Sequence, residues 1–206
     1  MLNYAVSSTI LYLLFIGIFI FTKITFLPSS SKRQFLPSLG YIFPTLTLML
    51  ISPVVIGLFA KPVHVELPVV TGWRNGFLFC LSVATAACFE ELLYRVILFE
   101  GAMLLPGFRK KRLRWIGCLF SLTLFACAHR YLGVGAVINA FLLGGLLHLL
   151  YEKTGRVEIS CLAHGMYNLI LFFLQGGEIT PSFWKVPINF EKQLTMKILY
   201  GIIIPC

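Results

Sequence analysis

The sequence predicts an all-α fold, a multi-pass bundle of about six to seven membrane-spanning helices that forms one domain over residues 1–206. Hydrophobic residues make up 58% of the chain and charged residues only 12%, whereas a soluble domain usually carries about a quarter charged residues. The chain contains 19 Phe and no Asp. A soluble core could not hide so much apolar surface, but lipid can act as its solvent.

The first two apolar runs are interpreted as membrane spans. The first extends from about residue 4 to residue 27, and its apolar core is longer than the roughly 7–15 residues of a signal peptide. No positive charge precedes it, so we expect it to be retained. The second covers about residues 39–60 without a charge, and Pro44 and Pro53 inside it predict a kink.

Four further spans follow, and the glycines Gly144 and Gly145 in the third of these are a small pair suited to close helix packing. A last apolar run at residues 196–205 is short for a full crossing. The four spans are predicted at about residues 76–99, 115–129, 133–151 and 157–174.

Positive charges in short loops predict the orientation of the bundle, because such loops stay in the cytoplasm. The loops after the first, third and fifth spans should share one side, and each is basic. The loop at 109–114 is therefore predicted to be cytoplasmic, in contact with lipid headgroups; Lys61 and Arg74 lie on the other side. No basic patch is interleaved with aromatic residues, so nucleic acid is not an expected partner. The basic loop residues are Lys32, Arg33, Arg109, Lys110, Lys111, Arg112, Arg114, Lys153 and Arg156.

Three ionisable residues interrupt the third span. Glu90, Glu91 and Arg95 lie within six positions, although an ionisable side chain at a helix centre costs roughly 2.5–3.5 kcal/mol. Glu91 and Arg95 are four residues apart, so they share a helix face and can form an ion pair. Glu90 points about 100° away around the helix. It therefore needs a different partner.

Polar residues in other spans could provide that partner. His129 ends the fourth span, and His164 and Asn168 lie four residues apart in the sixth. Lipid cannot satisfy these side chains, so we expect them to face the interior. Helical rise places Glu90 and the two histidines within about 10 Å of the same depth. A shared site is one reading, and simple interhelical hydrogen bonding is the other.

The three motifs together resemble the CAAX-protease and bacteriocin-processing family, also called the Abi family. They are Glu-Glu-x-x-x-Arg at 90–95, Phe-x-x-x-His at 125–129 and His-x-x-x-Asn at 164–168. The resemblance covers about residues 74–175, the expected catalytic core. The branch that cuts prenylated CaaX proteins typically has Asn four residues after the second-motif His. Here that residue is Gly133, which favours a prokaryotic member in a plasma membrane.

The resemblance implies a metal-independent intramembrane glutamic endopeptidase with no cofactor, acting on a membrane-associated peptide or protein. Glu90 would be the general base that activates water, His129 would help to hold that water, and His164 and Asn168 would stabilise the oxyanion. Hydrolysis consumes water, so a water-filled cavity open to the cytoplasm is expected. In a supporting role, the resemblance implies that Glu91 and Arg95 orient the first motif.

Three alternatives stay open. A zinc-dependent membrane metallopeptidase could use Glu90, His129 and His164 as ligands, with His148 as a spare, although no His-Glu-x-x-His motif is present. A transporter could use the same side chains as a proton relay, although the chain shows no inverted repeat. A non-catalytic scaffold would use them only to fasten helices, and it should tolerate Glu90→Gln.

Overall fold

The structure is a computed structural model whose described parts are residues 10, 12–17, 35–59, 70–103, 111–174 and 179–180. Apart from one short strand pairing, these parts form a bundle of membrane helices, which confirms the predicted fold class. Four of the described helical segments are long and apolar enough to cross a membrane, and Leu113–Ala128 is a shorter apolar helix. Of the first predicted span, residues 10 and 12–17 are helical. The run at 196–205 lies outside the described residues.

The first long described span consists of α1 (Phe35–Leu39) and α2 (Ile42–Gly57), so it begins earlier than the sequence predicts. Pro53 lies inside α2, and the helix continues beyond it. Pro44 lies in the first turn of α2, where backbone N–H groups have no partner within the helix, so its missing donor costs no helical bond.

The next span contains a long π-helix. It consists of α3 (Trp73–Glu91), π1 (Leu92–Glu100) and α4 (Gly101–Met103), and it extends beyond both ends of the predicted span. π-helices are rare and occur frequently at functional sites. Here the change from α to π geometry falls directly after Glu91, inside the Glu-Glu-x-x-x-Arg motif, and the apolar pattern did not predict it.

A tight connection joins the two helices that follow. Its residue Gly133 has φ 90° and ψ 171°, a backbone conformation that is essentially restricted to glycine. This conformation lets a short 3₁₀ turn lead straight into the next helix. The last described helix begins and ends at the predicted residues. The elements are α5 (Lys111–Ala128), the 3₁₀ turn (Arg130–Leu132), α6 (Val134–Thr154) and α7 (Val157–Leu174).

Helix α7 packs against α2, α3 and α6, and its pairing with α3 is the most extensive in the described bundle. Helix α5 packs on α6 and on π1. A short parallel pairing joins β1 (Val70–Thr71) to β2 (Ile179–Thr180), with Val70 opposite Ile179. The start of α3 is thereby held beside the chain that follows α7.

The distribution of polar and apolar side chains is that of a protein in lipid. Large apolar side chains face outward, with Phe43, Phe59 and Trp73 at 79%, 88% and 84% exposure. Glu91 and Arg95, in contrast, are fully buried. Soluble proteins rarely bury such charges while exposing such aromatic residues. The pattern and the apolar helices identify an integral membrane protein.

Only one residue of the predicted small pair provides close packing. A Cβ atom on Gly144 would lie 2.9 Å from Cδ1 of Phe125 and 3.2 Å from Cδ2 of Leu122. A Cβ atom on Gly145 would meet nothing within 4 Å. The pair of glycines therefore predicted the right helix, but of the two only Gly144 lies against a neighbouring helix.

We expect Gly144→Ala to lower the free energy of unfolding by about 1–3 kcal/mol, because the added methyl group forces the buried Phe125 ring to move. Gly145→Ala is the matched control. It should be neutral or stabilising by up to about 1 kcal/mol, since Ala favours the helix. Equilibrium unfolding in mixed detergent micelles measures both. Equal losses for the two variants would contradict the packing argument.

Candidate active site

A buried ion pair forms the base of the candidate site. Nε of Arg95 lies 3.3 Å from Oε2 of Glu91, and both side chains are fully buried. This contact confirms the pairing that the four-residue spacing predicted. Arg95 also donates from Nη2 to the backbone carbonyl of Gly144 at 2.9 Å, and its guanidinium lies 5.6 Å from the centre of the Phe125 ring. Arg95 thus ties π1 to α5 and α6.

His164 lies between the two glutamates. Its Nδ1 is 3.1 Å from Oε1 of Glu91, and its Nε2 is 3.7 Å from Oε2 of Glu90. A carboxylate accepts hydrogen bonds, so Nδ1–H donates to Glu91. The His164 side chain is 3% exposed, whereas the Glu90 side chain is 32% exposed. His164 is therefore the partner that Glu90 lacked in the sequence, and Glu90 is the accessible carboxylate of the two.

His129 joins the cluster through Phe125. Its Nδ1 is 2.8 Å from the backbone carbonyl of Phe125. Because a carbonyl only accepts, Nδ1 carries the proton and, in the neutral imidazole, Nε2 is left as an acceptor. The His129 ring lies 4.8 Å from the Phe125 ring, which in turn lies 6.0 Å from the His164 ring.

Asn168 follows His164 by one helical turn on α7 and is partly exposed. Its neighbour Tyr167 is buried and belongs to a separate polar network. The Tyr167 hydroxyl accepts from Nδ2 of Asn139 at 3.1 Å, and Oδ1 of Asn139 accepts from the Ser52 hydroxyl at 2.7 Å. This network joins α2, α6 and α7 and fixes the turn of α7 that carries Asn168.

Phe125 belongs to the same cluster, and the sequence did not reveal its central position there. It is fully buried and is the common neighbour of several members of the cluster. In the sequence, its position was indicated only by the spacing of four residues to His129, which places both side chains on one helix face. Its ring contacts involve Tyr94, Arg95, His129 and His164.

Tyr131 is a second neighbour that the motifs did not include. It lies on the 3₁₀ turn and is 43% exposed as a residue. Burial of part of the phenol raises the pKa of Tyr131, and the nearby Glu90 carboxylate adds to this rise. The hydroxyl therefore stays protonated within electrostatic reach of Glu90. Its position two residues after His129 was the only sequence signal.

His148, the spare zinc ligand of the metallopeptidase alternative, has other neighbours. Its ring lies 4.5 Å from the Phe99 ring, and its Nε2 is 3.8 Å from Oε1 of Glu152. Within the ranges that the structure describes, no three His, Cys, Asp or Glu side chains are grouped in a way that could hold a metal ion.

Comparison with known protein families gives a match over the middle of the chain. The family model described as type II CAAX prenyl endopeptidase Rce1-like matches residues 72–170. No curated protein and no solved structure matches the chain significantly. The matched segment contains all three motifs and every candidate site residue.

Proposed function

Because residues 72–170 belong to the type II CAAX prenyl endopeptidase Rce1-like family, we propose that this membrane endopeptidase uses Glu90 to activate water and needs no metal. The family supports the coarser part, peptide-bond hydrolysis at a membrane. The geometry of the cluster supports the finer part, the choice of base. The substrate would be a peptide or a membrane-protein segment.

The observation that carries the proposal is the unequal environment of the two adjacent glutamates. Glu91 is fully buried, with Arg95 on one oxygen and His164 on the other. Its carboxylate is therefore occupied in holding the helices together. Glu90 faces the same imidazole at 3.7 Å and is one-third exposed, so water and substrate can reach it. Of the two, Glu90 suits a general base.

Water would be held from two sides. Glu90 would take one proton from the water molecule. The second O–H of the water would donate a hydrogen bond to Nε2 of His129. This nitrogen can accept because Nδ1 of the same ring donates to the Phe125 carbonyl. The hydroxide would attack the peptide carbonyl. Glu90 would then deliver its proton to the leaving amine. The same carboxyl group thus acts first as base and then as acid.

The developing oxyanion requires hydrogen-bond donors. We assign this role to Asn168 and to His164, which lie on one turn of α7; because Nδ1–H of His164 donates to Glu91, its Nε2 can donate to the oxyanion only in the protonated imidazolium. Side-chain donors of this kind lower the barrier by roughly 3–4 kcal/mol each. Glu91 would orient His164 through Nδ1, and Arg95 would in turn hold Glu91. In this scheme the ion pair positions the catalytic groups without touching the substrate.

The experiment that tests this function is cleavage of a peptide library by the purified, detergent-solubilised chain, with and without a strong chelator. We expect cleavage at the same rate in both samples. Loss of cleavage on chelation that added zinc restores would instead support the metallopeptidase. Absence of cleavage from the whole library, with a folded protein, would favour the scaffold.

A further inference from the structure

Helix α7 is tied to its neighbours by polar contacts at two levels. Near its start, the Ser160 hydroxyl donates to the backbone carbonyl of Leu147 on α6 at 3.3 Å. Further along, hydrogen bonds of 3.1 and 2.7 Å join Tyr167 to Asn139 on α6 and Asn139 to Ser52 on α2. Ser160 and Tyr167 are 0% and 2% exposed. They lie two helical turns apart, so both ties are on one face of α7.

The candidate oxyanion donors lie on the next face of the same helix. Each residue turns the helix by about 100°, so Asn168 is about 100° from Tyr167 and His164 is about 60° from it. The Tyr167 ring belongs to the apolar core that α2, α6 and α7 form, whereas His164 reaches Glu91 on α3. The tied face of α7 is thus separate from the face that carries the candidate donors.

The closest packing between α7 and α3 involves small residues. A Cβ atom on Gly165 would lie 3.9 Å from Cα of Ala84 and 3.9 Å from Cβ of Ala87. Contacts between such residues let two helices approach closely, but small side chains do not interlock. The rotation of α7 about its axis therefore depends strongly on its hydrogen bonds to the other helices.

A small rotation of α7 would displace the candidate donors by a distance that matters for catalysis. Side-chain atoms lie about 5–6 Å from a helix axis, so a rotation of about 15° moves them by about 1.5 Å. A misplacement of about 1 Å can cost a factor of about a hundred in rate. The hydrogen bonds that prevent such a rotation therefore contribute to the geometry of the site.

We propose that Tyr167, Asn139 and Ser52 are positioning residues for the reaction. They fix the rotation of α7 and thereby the place of Asn168, without touching the substrate. The catalytic part of this inference rests on the proposed function. Ser52 lies on α2, outside the matched residues 72–170, so the working unit of this protein extends beyond the segment that matches the family.

Three variants of the full chain test the inference. Tyr167→Phe keeps the ring and removes the acceptor for the Asn139 amide. Ser52→Ala removes the donor to the Asn139 carbonyl, two hydrogen bonds away from α7. Thr47→Val is the matched control, because it also removes a hydroxyl from α2. That hydroxyl donates to the Phe43 carbonyl of its own helix at 2.9 Å.

The first measurement does not require catalysis. The side-chain amide signal of Asn168 is recorded in ¹⁵N-asparagine-labelled protein in micelles and assigned by its loss in Asn168→Ala. We expect this signal to shift or broaden in Tyr167→Phe and in Ser52→Ala, and to stay unchanged in Thr47→Val. Ser52→Ala is decisive because Ser52 is not a chain neighbour of Asn168. An unchanged signal in Ser52→Ala would overturn the inference.

The second measurement is steady-state cleavage. Tyr167→Phe and Ser52→Ala should each lower kcat about tenfold with KM unchanged, since the oxyanion donor is displaced and not removed. In the Asn168→Ala background neither change should lower kcat further. An equal further loss in that background would mean that the network acts through the general fold, against the inference. Full kcat of Asn168→Ala alone would instead contradict the proposed oxyanion role, while the amide signal still decides whether the network holds α7.

Discussion

Replacing Glu90 with Gln is expected to lower kcat about a thousandfold, because a positioned general base contributes about 10²–10⁴-fold to a reaction. The amide has nearly the same shape but does not accept a proton from water. The side chain is one-third exposed and makes only a long contact with His164, so the free energy of unfolding should change by less than about 1 kcal/mol. Steady-state cleavage and unfolding in micelles measure the two effects.

Glu100→Gln is the matched control for this prediction. Glu100 lies at the end of π1, where one oxygen accepts a hydrogen bond from the Tyr151 hydroxyl at 3.2 Å. It is thus a partly buried carboxylate on the same span, but outside the cluster. We expect this variant to keep the activity of the wild type. Full cleavage activity of Glu90→Gln would remove Glu90 from the mechanism.

Arg95→Leu is expected to cost about 3–5 kcal/mol of stability, the largest loss for any single change considered. Glu91 would remain as a buried charge without its ion-pair partner, and the Gly144 carbonyl would lose its donor. The total stability of a domain is only about 5–15 kcal/mol. The variant should therefore unfold at much lower denaturant, and its cleavage should fall with the loss of orientation at His164.

Two further variants show whether the unpaired buried charge is responsible for the stability loss of Arg95→Leu. In the double variant Glu91→Leu with Arg95→Leu, both buried charges are gone, so most of the stability should return while cleavage stays low. Arg114→Leu removes an exposed Arg–Glu pair, with 47% and 36% exposure, and should cost less than about 1 kcal/mol. A double variant as unstable as Arg95→Leu would mean that packing, and not charge, dominates.

Helical spacing was enough to predict part of the site. Glu91 and Arg95 pair because residues four apart share a helix face. Glu90 precedes Glu91 by one residue, which is a rotation of about 100° around the helix, so it faces a different partner. The position of His164 inside an apolar span predicted that its side chain faces the interior of the bundle, because lipid offers it no partner, and the side chain is buried against Glu91. These inferences depend only on helix geometry and on lipid as the solvent, and one sequence is enough to apply both.

Other parts of the site depend on tertiary packing and were not predictable. The helical spacing argument assumed α geometry, and nothing in the apolar pattern indicated that π1 begins after Glu91. The Gly144 carbonyl is a backbone group, so no side-chain motif could identify it as the acceptor for Arg95. His148 is buried as an apolar span suggested, but its neighbours Phe99 and Glu152 are set by helix contacts.

The backbone at Gly133 also restricts how this protein could have diverged from its relatives. With φ 90° and ψ 171° the position excludes residues that carry a Cβ atom unless the turn rearranges. The asparagine typical of the prenyl-protein branch would therefore carry a backbone strain of about 1–3 kcal/mol at this position while the turn keeps this shape. Exchange of glycine for asparagine at this position is therefore coupled to a change in the backbone of the α5–α6 connection.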